Sequence, residues 1–209
     1  MTSYLTLARD GQAEIEVKHS RFLCTLRRVE TEEAARVLVA DLRKQHWDAR
    51  HHCSAFVLGP DGSLQRSSDD GEPAGTAGAP MLEVLRGADV SDVVAVVTRW
   101  FGGTLLGAGG LVRAYGDSVR TALESVGTLR RSLLHELALE VDHAEAGRIE
   151  SELRSRGVPV LATSYDARVR LVLGSAPAAV PALTDAVAAL TSGAGVLEPV
   201  GERWVDQRS

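Results

Sequence analysis

The apolar residues of the amino-terminal half follow two different spacings, one after the other. From Ala13 to Val29 apolar and polar residues alternate, which predicts two antiparallel strands that each bury one face. Thr31 can cap the segment that follows, in which apolar residues recur at helical spacing as far as His46. The pattern therefore predicts a hairpin followed by an amphipathic helix.

Further along, glycine and proline divide the apolar segments into short elements. His52–Leu58 and Leu64–Arg66 have the composition of strands joined by a glycine-rich turn, and Met81–Gly87 predicts a short helix. Asp92–Phe101 contains a nearly continuous apolar run, which is typical of a strand buried on both faces. Leu111–Val126 places its apolar residues on one helical face. These elements predict an α+β domain with helices packed on a sheet.

The pattern changes after Gly127, and the remaining residues predict a second domain. The order is strand, helix, strand, strand, helix and strand, over Leu133–Val141, Ala144–Arg156, Pro159–Tyr165, Ala167–Leu173, Ala178–Leu190 and Gly195–Val205. This βαββαβ order is that of the ferredoxin-like fold. We therefore expect two domains of different fold, residues 1–130 and 131–209.

Composition limits the classes of partner. The chain has 209 residues, of which 44% are apolar, and this is enough for one large domain or two modest ones. Its formal net charge of -5 argues against a generally basic surface for nucleic acid or membrane, so a site for a polyanion must be a local patch. With two cysteines, no signal-peptide pattern and no long apolar run, we expect a soluble cytoplasmic protein without a membrane segment.

A glycine-rich turn lies between the buried strand and the last helix of the first domain. Backbone amides there and the positive end of the helix suit a phosphate or carboxylate, and Arg99 and Arg113 flank the turn. The spacing fits neither a P-loop nor the dinucleotide fingerprint, since Gly109 and Val112 stand where other residues are required. The alternative is a tight turn that needs glycine only for packing. The glycines concerned are Gly102, Gly103, Gly107, Gly109 and Gly110.

The second unusual loop, Ser68–Pro80, is acidic as well as rich in glycine. Three carboxylates, Asp69, Asp70 and Glu72, could bind a divalent cation or act in acid–base chemistry, although Asp before Gly is also common in structural turns. The irregular backbone extends well beyond one turn, which is typical of functional loops. The other loop positions of interest are Gly71, Gly75, Thr76 and Gly78.

Two histidines and a cysteine precede this loop on a predicted strand. Side chains of consecutive strand residues face opposite sides, so His51 and Cys53 can converge whereas His52 cannot join them. A metal site would then need a third ligand from elsewhere, and an activated Cys53 thiolate is a further alternative. We predict neither a metal nor a cofactor. Trp100 and Phe101 either stack on an exposed base or belong to the core.

Three motifs resemble those of the IMPACT/YigZ family. They are Ala49–Cys53, Ser68–Gly78 and Arg99–Gly116, and the resemblance covers about residues 18–126. It implies an amino-terminal α+β domain similar to a ribosomal-protein and elongation-factor domain, and a ferredoxin-like domain similar to the last domain of elongation factor G. Eukaryotic members restrain a translation-control kinase by competing for its activator. The family implies no accepted catalytic residues.

The first hypothesis is therefore a non-enzymatic regulatory protein that modulates translation under stress by binding RNA, the ribosome or a protein partner in translation control. The second is a hydrolase of a phosphorylated or peptide substrate that uses Asp69, Asp70 or Glu72, with His51 nearby. The third is an interaction module that works through the acidic second domain. The predicted binding patch comprises His51, His52, Asp69, Asp70, Gly71, Glu72, Gly75, Thr76, Gly78, Arg99, Gly102, Gly103, Gly107, Gly109, Gly110 and Arg113.

Overall fold

The computed structural model describes residues 1–207. They form two compact units, Ser3–Arg130 and Arg131–Gln207, each with its own sheet and helices. Arg208 and Ser209, which belong to the predicted second domain, lie outside the described residues. The predicted two-domain α+β class is confirmed.

The first unit is built on a five-stranded antiparallel sheet with the order β2-β3-β6-β4-β5. Helix α1 packs on one face and helices α2 and α3 pack on the other. The strands of this sheet are β2 Gly11–Val17, β3 Ser20–Arg28, β4 His51–Leu58, β5 Leu64–Ser68 and β6 Val93–Trp100, and a further strand, β1 Ser3–Leu7, lies outside it. The helices are α1 Glu32–Gln45, α2 Gly78–Gly87 and α3 Ala108–Val126.

Local sequence explains why α1 and β6 form where they do. The Oγ1 atom of Thr31 accepts the N–H of Ala34 at 3.1 Å and so caps α1, as predicted. Leu38 and Leu42 are buried on the face of α1 that packs against β4 and β6. β6 is buried on both faces from Val93 to Arg99, which confirms the interpretation of its apolar run.

Several predicted boundaries were wrong. Helix α2 begins at Gly78, three residues before the predicted start at Met81. Pro80 is tolerated in the first turn because N–H groups there have no intrahelical acceptor, so the N–H that proline lacks is not needed. Helix α3 likewise begins at Ala108, inside the glycine-rich turn. The short strand β1 was not predicted at all.

The second unit has the predicted ferredoxin-like topology. β7 lies between β9 and β10, β8 pairs with β9, and all pairs are antiparallel. The core contains Leu139, Leu171, Ile149 and Leu153. No helix among residues 1–207 is long and apolar enough to cross a membrane. The elements are β7 Thr128–Val141, α4 His143–Ser155, β8 Val160–Tyr165, β9 Val169–Ser175, a 3₁₀ turn Pro177–Ala179, α5 Val180–Leu190 and β10 Leu197–Asp206.

Candidate functional site

The acidic loop, residues 69–77 between β5 and α2, is held together by the first of its carboxylates. The side chain of Asp69 accepts the N–H groups of Gly75 at 2.8 Å, Ala77 at 3.0 Å and Gly78 at 2.8 Å. Burial raises the pKa of Asp69, but these three backbone N–H groups outweigh it and hold the pKa below its ordinary value. Asp69 therefore caps the beginning of α2, which has no other side-chain cap.

The second carboxylate ties the acidic loop to α1 and β4. Oδ1 of Asp70 lies 2.6 Å from Nη2 of Arg43 on α1, and Oδ2 accepts the backbone N–H of His52 at 2.7 Å. The backbone oxygen of Asp70 lies 2.9 Å from Nδ1 of His51. Asp70 has a positive φ of 42°, which a short polar side chain tolerates better than most. Both oxygens of this carboxylate have structural partners.

The third carboxylate is buried in an ion pair. Oε1 of Glu72 accepts Nη1 of Arg99 at 2.6 Å and the hydroxyl of Tyr115 at 2.7 Å. The side chains of Arg99 and Glu72 are 8% and 4% exposed. The sequence interpretation placed Arg99 at the surface, as a cation that flanks the glycine-rich turn. The structure places it inside, because its charge compensates the buried carboxylate.

Cys53 adds a thiol to this buried group. Its Sγ lies 3.0 Å from the carbonyl of Asp69 and 3.3 Å from the hydroxyl of Tyr115. Burial raises the pKa of Cys53 to about 12; the hydroxyl of Tyr115 lowers it, and the charges of Glu72, Asp70 and Asp69 raise it further. The activated thiolate considered from the sequence is therefore not supported, and Cys53 is a neutral thiol at neutral pH.

The two histidines lie on opposite faces of β4. His51 faces the acidic loop, where its ring lies 3.6 Å from the position of a Cβ built on Gly71. His52 is only 3% exposed and lies beside Thr98 of β6 in the strand register. Burial lowers the pKa of His52; the charge of Asp70 and a backbone hydrogen bond with His46 oppose this, and electrostatic interactions with Arg43 and His46 lower it further. His52 is a core residue rather than part of a surface patch.

Glycines of the acidic loop have structural roles. Gly71 and Gly75 have positive φ values of 84° and 75°, a region in which glycine is favoured. A Cβ on Gly78 would lie 2.8 Å from the backbone nitrogen of Ser68, so this glycine lets α2 approach β5. Thr76 is buried and its hydroxyl donates to the carbonyl of Pro73 at 2.6 Å. Each of these positions is explained by the geometry of the acidic loop or by the contact of α2 with β5.

The glycine-rich turn, residues 101–110, runs from the end of β6 into the first turn of α3, and it is anchored at Gly102 and by Leu106, which packs against the core. A Cβ on Gly102 would lie 2.0 Å from the backbone carbon of His19, and the N–H of Gly102 donates to Oγ of Ser20 at 3.1 Å. Gly103 and Gly107 have positive φ values of 87° and 74°. Beyond Gly102 the turn is mostly exposed.

The other end of the glycine-rich turn forms the amino terminus of α3. The first N–H groups of the helix have no intrahelical acceptor, and Gly107 at the cap position provides no side chain to accept from them. A Cβ on Gly109 would meet nothing within 4 Å, whereas one on Gly110 would lie 3.0 Å from Cβ of Leu106. Arg113 is exposed one turn further on, and its Nε donates to the carbonyl of Gly109 at 3.3 Å. This arrangement suits an anion.

Exposed apolar side chains accompany this turn. Phe101 is 48% exposed and Leu105 is 82% exposed. Trp100, by contrast, has internal partners: its Nε1 donates to Asp48 at 2.9 Å, and the guanidinium of Arg21 lies 4.8 Å from the ring centroid. Of the two aromatics considered for base stacking, Phe101 is the more exposed, although the guanidinium of Arg99 lies 5.8 Å from its ring centroid.

The sequence interpretation missed the residues that organise the buried group. Tyr115 lies within the predicted helix and the third motif but was given no role of its own, and Ser20 and Arg43 were not singled out. A tyrosine on an otherwise apolar helical face was the available signal, because a buried hydroxyl needs a hydrogen-bond partner. Among residues 1–207 no group of three or more His, Cys, Asp or Glu side chains is placed to hold a metal ion.

Comparison with known proteins places these residues in context. Residues 18–123 match the family model of the Impact N-terminal domain, and residues 139–194 match a domain of unknown function, DUF1949. IMPACT family member YvyE of Bacillus subtilis is 49% identical over 152 residues, which are 73% of this chain and 70% of that protein. IMPACT family member YigZ of Escherichia coli is 44% identical over 173 residues, 82% of this chain and 85% of that protein.

A solved structure supports the same relationship. It is a crystal structure described as that of a hypothetical protein, with 40% sequence identity and a TM-score of 0.67. The match covers 96% of this chain and 98% of that one. Both units are therefore shared with a known structure.

Proposed function

The chain belongs to the IMPACT family, and from this premise we propose that it is a non-enzymatic cytoplasmic regulator of translation that binds RNA or the ribosome. The family resemblance supports the translational role, because eukaryotic members restrain a translation-control kinase. The uncapped amino terminus of α3 and the exposed Arg113, at the end of the glycine-rich turn, support a ligand that carries phosphate. A translation-associated protein partner is compatible with the same role.

The observation that carries this proposal is the uncapped amino terminus of α3 beside an exposed arginine. Helix N–H groups and the helix dipole favour negative charge at this end, and no carboxylate from the first unit caps it. Arg113 adds a full positive charge one turn away, and Phe101 adds an exposed ring at the other end of the turn. Phosphate groups are the chemistry that backbone amides and arginine bind together.

The hydrolase hypothesis receives less support from the same geometry. Asp69 accepts three N–H groups, Asp70 pairs with Arg43 and His52, and Glu72 is buried with Arg99 and Tyr115. A general base or metal ligand needs an oxygen that substrate or metal can reach. These carboxylates instead support the structure of the acidic loop.

Ribosome co-sedimentation at several salt concentrations tests the proposal. The wild-type chain is expected to co-sediment in a salt-sensitive manner, since phosphate contacts release counterions. Arg113→Glu is expected to weaken binding about tenfold. It is also expected to reduce the slope of log binding constant against log salt concentration by about one, the value for one lost phosphate contact. Arg86→Glu, an exposed arginine on α2, makes the same charge change away from the turn.

The control variant is expected to bind as the wild type does. Equal co-sedimentation of the Arg113→Glu and wild-type chains across the salt series would overturn the assignment of the turn. Absence of salt-sensitive ribosome or RNA binding by the wild type would overturn the proposal itself. Arg99 is unsuitable for this test because it is buried, so that its replacement disturbs folding.

A further inference from the structure

The sheet of the first unit ends at β5, and a slot of about 300 Å³ opens beside this strand. It lies on the sheet face that α1 covers, because α1 packs against β4 and β6. Ala35 and Val39 of α1 form one wall, and Phe56 and Ser54 of β4 contribute to the floor. Arg66 of β5 lines the outer side. The slot is thus an apolar groove bounded by an edge strand.

The outer edge of β5 carries backbone groups that can pair with another strand. Within residues 1–207 the only strand paired with β5 is β4. Residues 66–68 of β5 are exposed. Every second residue of an edge strand directs its N–H and C=O away from the sheet, where an extended segment can bind. An extended chain placed there would direct alternate side chains to the slot side.

The charges at the slot favour an acidic segment. Arg36 on the α1 side forms an ion pair with Glu32 at 2.5 Å. Arg66 donates only to the carbonyl of Gln65, at 3.0 Å, and has no ion pair among the described residues. The uncompensated charge at the rim is therefore positive, and a carboxylate is its natural partner.

We propose that this groove, formed by β5 and the neighbouring face of α1, binds an extended segment of a protein partner in which acidic and apolar residues alternate. The segment pairs with the free edge of β5, places apolar side chains against Val39 and Phe56, and sets a carboxylate beside Arg66. The site is separate from the glycine-rich turn, since α3 packs on the opposite face of the sheet from α1.

A peptide fits this groove better than a nucleic acid does. The apolar floor offers no exposed ring for base stacking, since Phe56 is 7% exposed. One uncompensated arginine provides a single phosphate contact, whereas nucleic-acid binding depends on several. Backbone pairing with an edge strand is specific to polypeptides.

Two fluorescein-labelled peptides test the proposal on the full-length chain by fluorescence anisotropy. One has the sequence Glu-Leu-Glu-Val-Glu-Leu, and the other has lysine in place of each glutamate. The acidic peptide is expected to bind saturably and at least about tenfold more tightly than the basic peptide, because only the former complements Arg66. Arg66→Glu is expected to reverse this preference, and Val39→Ala to weaken both peptides. Arg86→Glu is the matched control.

Hydrogen exchange of backbone amides identifies where the peptide lies. Protection of β5 amides by the acidic peptide, lost in Arg66→Glu, would support the groove. Lack of saturable binding, equal binding by the Arg66→Glu chain, or protection confined to other segments would overturn it. Equal protection of β5 by an oligouridylate would assign the groove to nucleic acid and likewise overturn it. Arg113→Glu is expected to leave peptide binding unchanged, so this result is independent of ribosome binding.

Discussion

The two glycine-rich segments have similar composition but opposite roles in the structure. In the acidic loop every carboxylate is engaged internally, from the cap on α2 to the buried pair of Glu72 with Arg99. The glycine-rich turn is anchored at Gly102 and then leaves backbone amides, Phe101 and Arg113 at the surface. Glycine-rich sequence alone therefore does not distinguish a structural support from a binding surface. The two are distinguished by whether their polar groups already have hydrogen-bond or ion-pair partners within the protein.

The largest expected effect comes from breaking the buried ion pair. Glu72→Ala is expected to lower the free energy of unfolding by about 3–5 kcal/mol, because it leaves the Arg99 guanidinium buried without its carboxylate. Urea denaturation followed by circular dichroism measures the change. Glu83→Ala removes an exposed carboxylate on α2 and is expected to have little effect. A loss below about 1 kcal/mol for Glu72→Ala would show that the pair does not support the acidic loop.

A methyl group added where α2 meets β5 is expected to have the next largest effect. The Cβ of Gly78→Ala would lie 2.8 Å from the nitrogen and 2.9 Å from the carbonyl carbon of Ser68, and backbone atoms cannot move aside cheaply. We expect a loss of about 1–3 kcal/mol in urea denaturation. Gly87→Ala, at the other end of the same helix, meets nothing within 4 Å and is the control. Equal stability of the two variants would contradict the close approach.

A smaller effect, which depends on pH, is expected at the cap of α2. The folded-state pKa of Asp69 lies below its ordinary value of 3.8, since the N–H groups of Gly75, Gly78 and Ala77 outweigh the opposing effect of burial. Its contribution to stability is therefore complete above pH 3.8 and is lost as the pH falls through the folded pKa.

Asp69→Asn is accordingly expected to cost about 1 kcal/mol at neutral pH, as the loss of a charged cap does. The difference in the free energy of unfolding between this variant and wild type should shrink below pH 3.8. Urea denaturation over a range of about pH 2.5–7 measures this difference. A difference that stays constant over this range would show that the charge of Asp69 does not stabilise the loop.

The fold was largely predictable because its signals are local. The cap at Thr31, the apolar run of β6 and the βαββαβ order each depend on neighbours in the sequence. Strand β1 was missed because it is five residues long and its neighbours are distant in sequence: the carbonyl of Leu5 accepts the N–H of Ser91. Short strands of this kind are defined by tertiary pairing rather than by periodicity.

The candidate site was only partly predictable. The motifs were located correctly, and the alternation along β4 correctly separated His52 from His51 and Cys53. Which charges are compensated depends on strand register and helix packing, which bring Arg99 and Glu72 together across 27 positions. A motif therefore indicates that residues belong together without indicating which of them face a ligand.

The smallest expected effect on folding is also the sharpest test of the difference between the two segments. Gly109→Ala adds a methyl group that meets nothing within 4 Å, at a helical position with no positive φ, so its stability should lie within about 0.5 kcal/mol of wild type. If the amides at this end of the glycine-rich turn contact phosphate, the same methyl group lies between them and the ligand. Ribosome co-sedimentation should then fall while urea denaturation is unchanged, with Gly87→Ala normal in both assays. Unchanged binding by Gly109→Ala would indicate that this glycine has no role at a ligand surface. It would contradict the proposal that the glycine-rich turn, unlike the acidic loop, is a binding surface.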